Sequence, residues 1–344
     1  MSTSEDLPFQ PIRSSLYESA ELMRGFDVGD ATSHGRIPDF LTYIYFVVNG
    51  RATPSSRDAG MMEALHDNSI LRAMWRFVAE RKQPTAAIMG GHKEPRGSKA
   101  YVAVAEIARR LTKGGYLMAS GGGPGAMEAT HLGALLAHED DKDALQKAIV
   151  DLEKCRTLPA SMNIVAPDGK VDDAIVKQVH EWAVPAVQLL GKIEKPGVSL
   201  AVPTWHYGHE PLTPLATHVA KYFLNSIRED VLLALAVNGI IFAPGRAGTL
   251  QEVFQDAAQN YYRGDGPFSP MIFFDRTFWR ETLPVENLLE ALFVKNGHGD
   301  EYKEKVRFTD DVDEVVGLLL AQKAGSEERL MSRMETMGMA DMLV

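Results

Sequence analysis

Ala86-Ala87-Ile88-Met89-Gly90-Gly91, followed one helix later by Tyr116-Leu117-Met118-Ala119-Ser120-Gly121-Gly122-Gly123-Pro124-Gly125-Ala126, decides the fold. Each stretch is a short apolar run that stops at glycine, the profile of a parallel strand buried on both faces. Between them, Tyr101, Val102, Ala105, Ile107, Ala108 and Leu111 recur at helical spacing until Gly114-Gly115 stops the pattern. Strand, glycine loop, helix, strand, glycine loop, helix is the opening of an α/β, doubly wound parallel sheet of Rossmann-like type.

Downstream, strands are expected at 198–202, 240–243, 271–274 and 306–308, with helices at 249–262 and 312–320. Upstream, Asp39 to Lys82 reads as helical after a mixed stretch of about 35 residues. The expected organisation is a helical N-terminal extension over 1–83 and a Rossmann-like nucleotide-binding unit over 84–322. A charged insertion interrupts that unit at about 138–195, and a Met-rich tail follows over 323–344.

A net charge of -10 argues against non-specific nucleic-acid binding, which depends on cationic contacts to phosphate. No stretch approaches the roughly 18 apolar residues of a membrane span. The start of the chain, Met-Ser-Thr-Ser-Glu-Asp, is unlike a secretion signal, and Cys155 is the one cysteine. These features predict a cytoplasmic protein with neither membrane nor nucleic-acid partners.

A strand that ends in glycines and enters a helix makes an anion site, because the first-turn N–H groups and the helix dipole face the loop. Two such loops lie at 120–125 and 244–249. The first also fits Gly121-x-Gly123-x-x-Ala126, a dinucleotide fingerprint. The acids about the right distance on, Glu139 and Asp140, sit in a helical stretch rather than at a strand end, which argues against a nicotinamide enzyme. Neither loop continues into the Gly-Lys-Ser/Thr of a P-loop. The second loop predicts phosphate binding by Gly245, Arg246, Ala247, Gly248 and Thr249. Glu252 follows within a helical turn, where a carboxylate beside a phosphate suggests work at the sugar, on hydroxyls or on developing positive charge. Trp205-His206-Tyr207-Gly208-His209-Glu210-Pro211 is dense in donors. Its Gly208 and Pro211 favour a substrate-contacting loop over a helix presenting zinc ligands, so no metal is expected.

With these residues assembled, the chain resembles the LONELY GUY (LOG) family, often labelled "putative lysine decarboxylase". Pro244-Gly245-Arg246-Ala247-Gly248-Thr249-Leu250-Gln251-Glu252 matches the family's Pro-Gly-Gly-x-Gly-Thr-x-x-Glu. Gly121-Gly122-Gly123-Pro124-Gly125-Ala126-Met127-Glu128-Ala129 matches its earlier glycine motif, and the likeness runs over about 84–320. The resemblance implies a phosphoribohydrolase that splits a nucleoside 5′-monophosphate, AMP-like or a cytokinin ribotide, into free base and ribose 5-phosphate. It implies catalytic roles for Glu252 and for an upstream arginine, here Arg228. Base and ribose would then be held by Gly90, Gly91, Ser120, Gly121, Gly122, Gly123, Gly125, Met127 and Glu128. No cofactor is expected, and a homodimer or higher homo-oligomer is. A decarboxylase would need a pyridoxal phosphate lysine, and Lys99, Lys113 and Lys221 have no such setting.

The chain departs from the pattern at Arg246, where the family has glycine, at Gln251, and at Glu229 after Arg228. Arg246 either adds a charge-assisted contact to the phosphate or closes the loop to the usual ligand. The rival reading is a non-catalytic nucleotide sensor or cofactor carrier on the same fold.

Overall fold

The computed structural model describes residues 7–206, 211–262 and 268–339. Along the chain run β1 (Tyr17–Glu18), α1 (Ser19–Leu22), α2 (Pro38–Val48), α3 (Arg57–Arg81), β2 (Thr85–Met89), α4 (Lys99–Lys113), β3 (Leu117–Ser120) and α5 (Ala126–Leu135). The insertion carries α6 (Ala144–Leu152) and α7 (Asp173–Leu190). The second half runs β4 (Ser199–Ala201), β5 (His218–Val219), α8 (Asn225–Leu235), β6 (Ile240–Phe242), α9 (Ala247–Tyr261), β7 (Met271–Phe274), α10 (Glu286–Phe293), α11 (Gly299–Lys305), β8 (Val306–Thr309), α12 (Val312–Ala321) and α13 (Ser326–Thr336).

The eight strands form one sheet in the order β1-β5-β4-β3-β2-β6-β7-β8, parallel throughout except for β1, which pairs antiparallel with β5. The run β4-β3-β2-β6-β7-β8 has the strand order of a Rossmann-like sheet, and the order reverses between β2 and β6. The chain is therefore an α/β protein with a mostly parallel, Rossmann-like sheet. The short edge strands β1 and β5 escaped the sequence reading, since two residues carry no periodicity.

Side-chain alternation explains why the strands read as continuous apolar runs. Ile88, Met118, Ile241 and Ile272 point to a core shared with α4, α5, α6 and α12. Their neighbours Met89, Leu117, Phe242 and Phe273 point the other way, into a core shared with α3, α8, α9, α10 and α13. Both faces are covered, so the interiors of the central strands are apolar and their polar residues, such as Thr85 in β2, Ser120 in β3 and Ser199 in β4, stand at strand ends. Ser98 starts α4 by accepting from Tyr101 N at 3.1 Å, and Gly114 ends it.

The expected single helical stretch over 39–82 is two helices, separated at Asn49–Ser56, where Gly50 and Pro54 break the pattern. The long second helix, α3, contributes Ile70, Met74, Trp75 and Val78 to the sheet's own core. A third apolar cluster joins Phe40, Tyr43 and Phe46 of α2, Ile164, Val176 and Val179 of the insertion, and Trp205 and Phe223. The latter two follow β4 and β5, so extension and insertion pack together beyond the carboxyl ends of those strands. No helix among the described residues is long and apolar enough to cross a membrane.

Candidate functional site

At the reversal point the loops after β2 and β6 lie side by side. Gly91 N donates to Pro244 O at 2.9 Å, and Ala126 N reaches Gly91 O at 3.3 Å. The three glycine-bearing loops are thereby tied together at the carboxyl ends of β2, β3 and β6, where ligands of open α/β sheets bind.

The second loop is shorter than the sequence suggested, because α9 begins at Ala247 rather than Thr249. Arg246 is its N-cap residue and makes no side-chain cap, so the N–H groups of Ala247, Gly248 and Thr249 open the helix. Ala247 and Gly248 are exposed, and nothing lies within 4 Å of where a Gly248 Cβ would stand. Thr249 is buried, and a Cβ on Gly245 would fall 2.1 Å from its Oγ1. The hydroxyl expected at the phosphate thus packs against Gly245, and the remaining donors are backbone.

Glu252 lies one turn inside α9, 8% exposed, as does Arg228 on α8. Arg228 Nη1 donates to Glu252 Oε1 at 3.2 Å, and Nε donates to Val202 O at 3.1 Å. Arg228 pairs with neither of the acids that follow it in the chain, Glu229 and Asp230. Glu229 instead accepts from Asn225 Nδ2 at 2.7 Å and from Gln251 Nε2 at 2.6 Å, so two of the unusual residues serve each other. Burial pushes the Glu252 carboxyl above its usual range, and the guanidinium opposes that shift. A Cβ on Gly121 would stand 2.2 Å from Arg228 Nη2 and 2.6 Å from Met127 Sδ. Glycine at 121 is what lets β3's loop close over the arginine.

The other residues expected at base and ribose divide. Gly90, Gly91, Gly121, Gly122, Gly123, Gly125 and Met127 line up along the joined loops. Ser120 turns inward, and Glu128 stands in the wall of a cavity with its oxygens taken by Arg96 and Tyr101. Ser120 Oγ bonds His131 Nε2 at 2.8 Å and accepts from Gly122 N at 3.2 Å, while His131 Nδ1 meets Ser199 Oγ at 2.8 Å. Burial drives the His131 pKa down to about 3, so the ring is neutral and anchors the ends of β3 and β4. Glu128 is bound by Arg96 through two contacts of 2.7 Å and by the Tyr101 hydroxyl at 3.1 Å. Arg96 also lies 4.2 Å over the Trp182 ring.

Sequence reasoning missed Asp67. Its two oxygens accept from Phe223 N and Leu224 N at 2.9 Å each, holding the start of α8 and hence Arg228. An acid two turns inside a helix of the extension gives no local sign of a partner 156 residues away. It also missed a cavity of about 970 Å³ bounded by Arg246 and Gly125, by His92 and Lys93 after β2, by Arg156 and Met162 of the insertion, and by Arg51. Arg228 and Glu252 are not among its lining residues. Of the donor-rich segment, residues 207–210 lie outside the described residues, and His206 lines the cavity. Among the described residues no group of three or more His, Cys, Asp or Glu could hold a metal ion.

The fold and site define a Rossmann-like α/β protein in which the exposed N-terminus of α9 and a buried Arg–Glu pair stand at the sheet's reversal point. No protein-family model matches the chain, and no curated protein matches it.

Proposed function

We propose that the chain is a nucleotide phosphoribohydrolase of the LOG type, cleaving the N-glycosidic bond of a nucleoside 5′-monophosphate. The observation that carries this reading is the Arg228–Glu252 pair, with side chains 10% exposed and set beside the cradle. A buried carboxylate one turn from a phosphate cradle repels that phosphate. Arg228 supplies one positive charge against the carboxylate, and the ribose acquires another as the bond to the base breaks.

In the reaction, the 5′-phosphate accepts from the N–H groups opening α9. Glu252 faces the ribose and stabilises the oxocarbenium-like centre. The C1′–N bond breaks with its electron pair on the base nitrogen, which takes up a proton. Water adds at C1′ and loses a proton, giving ribose 5-phosphate. Arg228 keeps Glu252 ionised and oriented, and the Gly121 loop holds Arg228.

One observation favours a second reading, a nucleotide-binding protein without turnover: the catalytic pair lies apart from the large cavity. Purified protein incubated with a panel of nucleoside monophosphates, followed by chromatography for free base, separates the two. The hydrolase reading expects base release, lost in Glu252→Gln with nucleotide binding retained. Tight nucleotide binding with no base released from any member of the panel would sink it.

A further inference from the structure

The chain's net charge is -10, yet the cavity beside the cradle is lined by five cationic side chains and two carboxylates. Both carboxylates are engaged. Glu128 is held by Arg96 at 2.7 Å, and Glu94 accepts from the Ser98 hydroxyl. Among the described residues, no carboxylate lies within ion-pair distance of the other four, Arg51, Lys93, Arg156 and Arg246. Like charges gathered around a hollow repel one another, and the arrangement is stabilised only when an anion enters.

These four come from four separate segments. Arg51 follows α2, Lys93 follows β2, Arg156 belongs to the insertion and Arg246 is the N-cap residue of α9. Arg246 is therefore shared between the cavity and the cradle. The cavity's volume of about 970 Å³ far exceeds what one phosphate occupies, and its lining also includes the apolar side chains of Leu158, Pro159, Met162 and Trp182. Arginine and lysine in such a hollow match phosphate oxygens by charge and by paired N–H donors.

We infer that the ligand of the α9 cradle carries at least one further phosphate, which enters this cavity and is held by Lys93, Arg156 and Arg246. The ligand class is a nucleotide with two or more phosphates, either consecutive on the 5′ chain or at two positions of the ribose. This rests on the nucleotide reading above but goes beyond it, since a monophosphate on the cradle brings no charge into the cavity, where among the described residues no carboxylate pairs with Lys93, Arg156 or Arg246. Arg246 then has a role of its own, because the side chain that replaces the family's glycine bridges the two anion positions.

The test is calorimetric titration of the full chain with inorganic pyrophosphate and with orthophosphate at fixed ionic strength. Pyrophosphate is expected to bind at least about tenfold more tightly. Lys93→Ala/Arg156→Ala should lose about tenfold for pyrophosphate while orthophosphate affinity stays within about twofold. A preference for pyrophosphate that survives the double substitution, or one that is absent together with equal binding of AMP, ADP and adenosine 3′,5′-bisphosphate, overturns the inference. ADP and adenosine 3′,5′-bisphosphate, each compared with AMP in the Glu252→Gln protein, locate the second phosphate. Tighter binding of either supports the inference, and equal binding of all three overturns it. Free-base release is a separate readout, so loss of the hydrolase reading leaves the pyrophosphate result standing, and the reverse.

Discussion

Arg228→Met is the perturbation that most directly probes the site. Arg228 makes two polar contacts of different kinds, Nε to Val202 O at 3.1 Å and Nη1 to Glu252 Oε1 at 3.2 Å. Losing the first leaves a carbonyl without its donor and costs about 1 kcal/mol at any pH. Losing the second strands a buried carboxylate, and removing one partner of a buried pair costs roughly 3–5 kcal/mol. The single N–O contact and the 10% side-chain exposure put the second loss at the low end, so the total is about 4 kcal/mol.

The pH dependence separates the two parts. Glu252 is already raised above 4.5 by burial, and the arginine opposes that shift. Without Arg228 the folded-state value climbs further, while the unfolded value does not change. Between those values the folded state binds more protons than the unfolded one, so stability falls as pH rises. The cost of Arg228→Met should therefore approach about 1 kcal/mol near pH 5 and grow to about 4 kcal/mol by pH 8. Urea denaturation across that range measures it. Adding Glu252→Gln should remove the pH-dependent part and recover most of the lost stability. A cost that is the same at pH 5 and pH 8, or a double variant additive within about 0.5 kcal/mol, refutes the coupling.

Two further outcomes test the surrounding structure. Asp256, one turn beyond Glu252, is 1% exposed with its pKa raised to about 8 by burial, so wild-type stability falls as pH rises from about 4 towards 8. Asp256→Asn should gain on wild type by up to about 1.4 kcal/mol per pH unit in that window, and a flat difference in thermal melts from pH 5 to 8 refutes this. Lys221 and Asp39 pair at 2.6 Å with each 1% exposed, joining the segment before α8 to α2. Lys221→Met should cost roughly 3–5 kcal/mol in urea denaturation, and adding Asp39→Asn should restore most of it. A single variant as stable as the double would contradict the pairing.

The sequence alone determined the central strands, because the interior of a strand buried on both faces is apolar. Ala86–Met89, Ile240–Ala243 and Met271–Phe274 are recognisable without any partner in view. Glycine placement likewise marked where β2 and β3 stop, before Gly90 and Gly121. Ser98 and Gly114 bracketed α4 for the same local reason.

Only the tertiary structure decided what the polar residues do. Glu128 and Ser120 read as ligand contacts from their motif, yet Arg96 lies 32 residues before Glu128 and His131 lies 11 after Ser120. Folding brings those partners in, so that Ser120 is held by His131 and Glu128 is paired with Arg96 in the cavity wall. Arg228 was drawn to Glu252, 24 residues on, rather than to the acids beside it, because the helix face it occupies points at the sheet's reversal point. The extension and the insertion showed no purpose in sequence, since their shared cluster of Phe40, Val176 and Trp205 spans 165 positions. Long-range side-chain pairing leaves no period for a sequence to display, whereas backbone-driven features such as strand burial and helix starts repeat within a few residues.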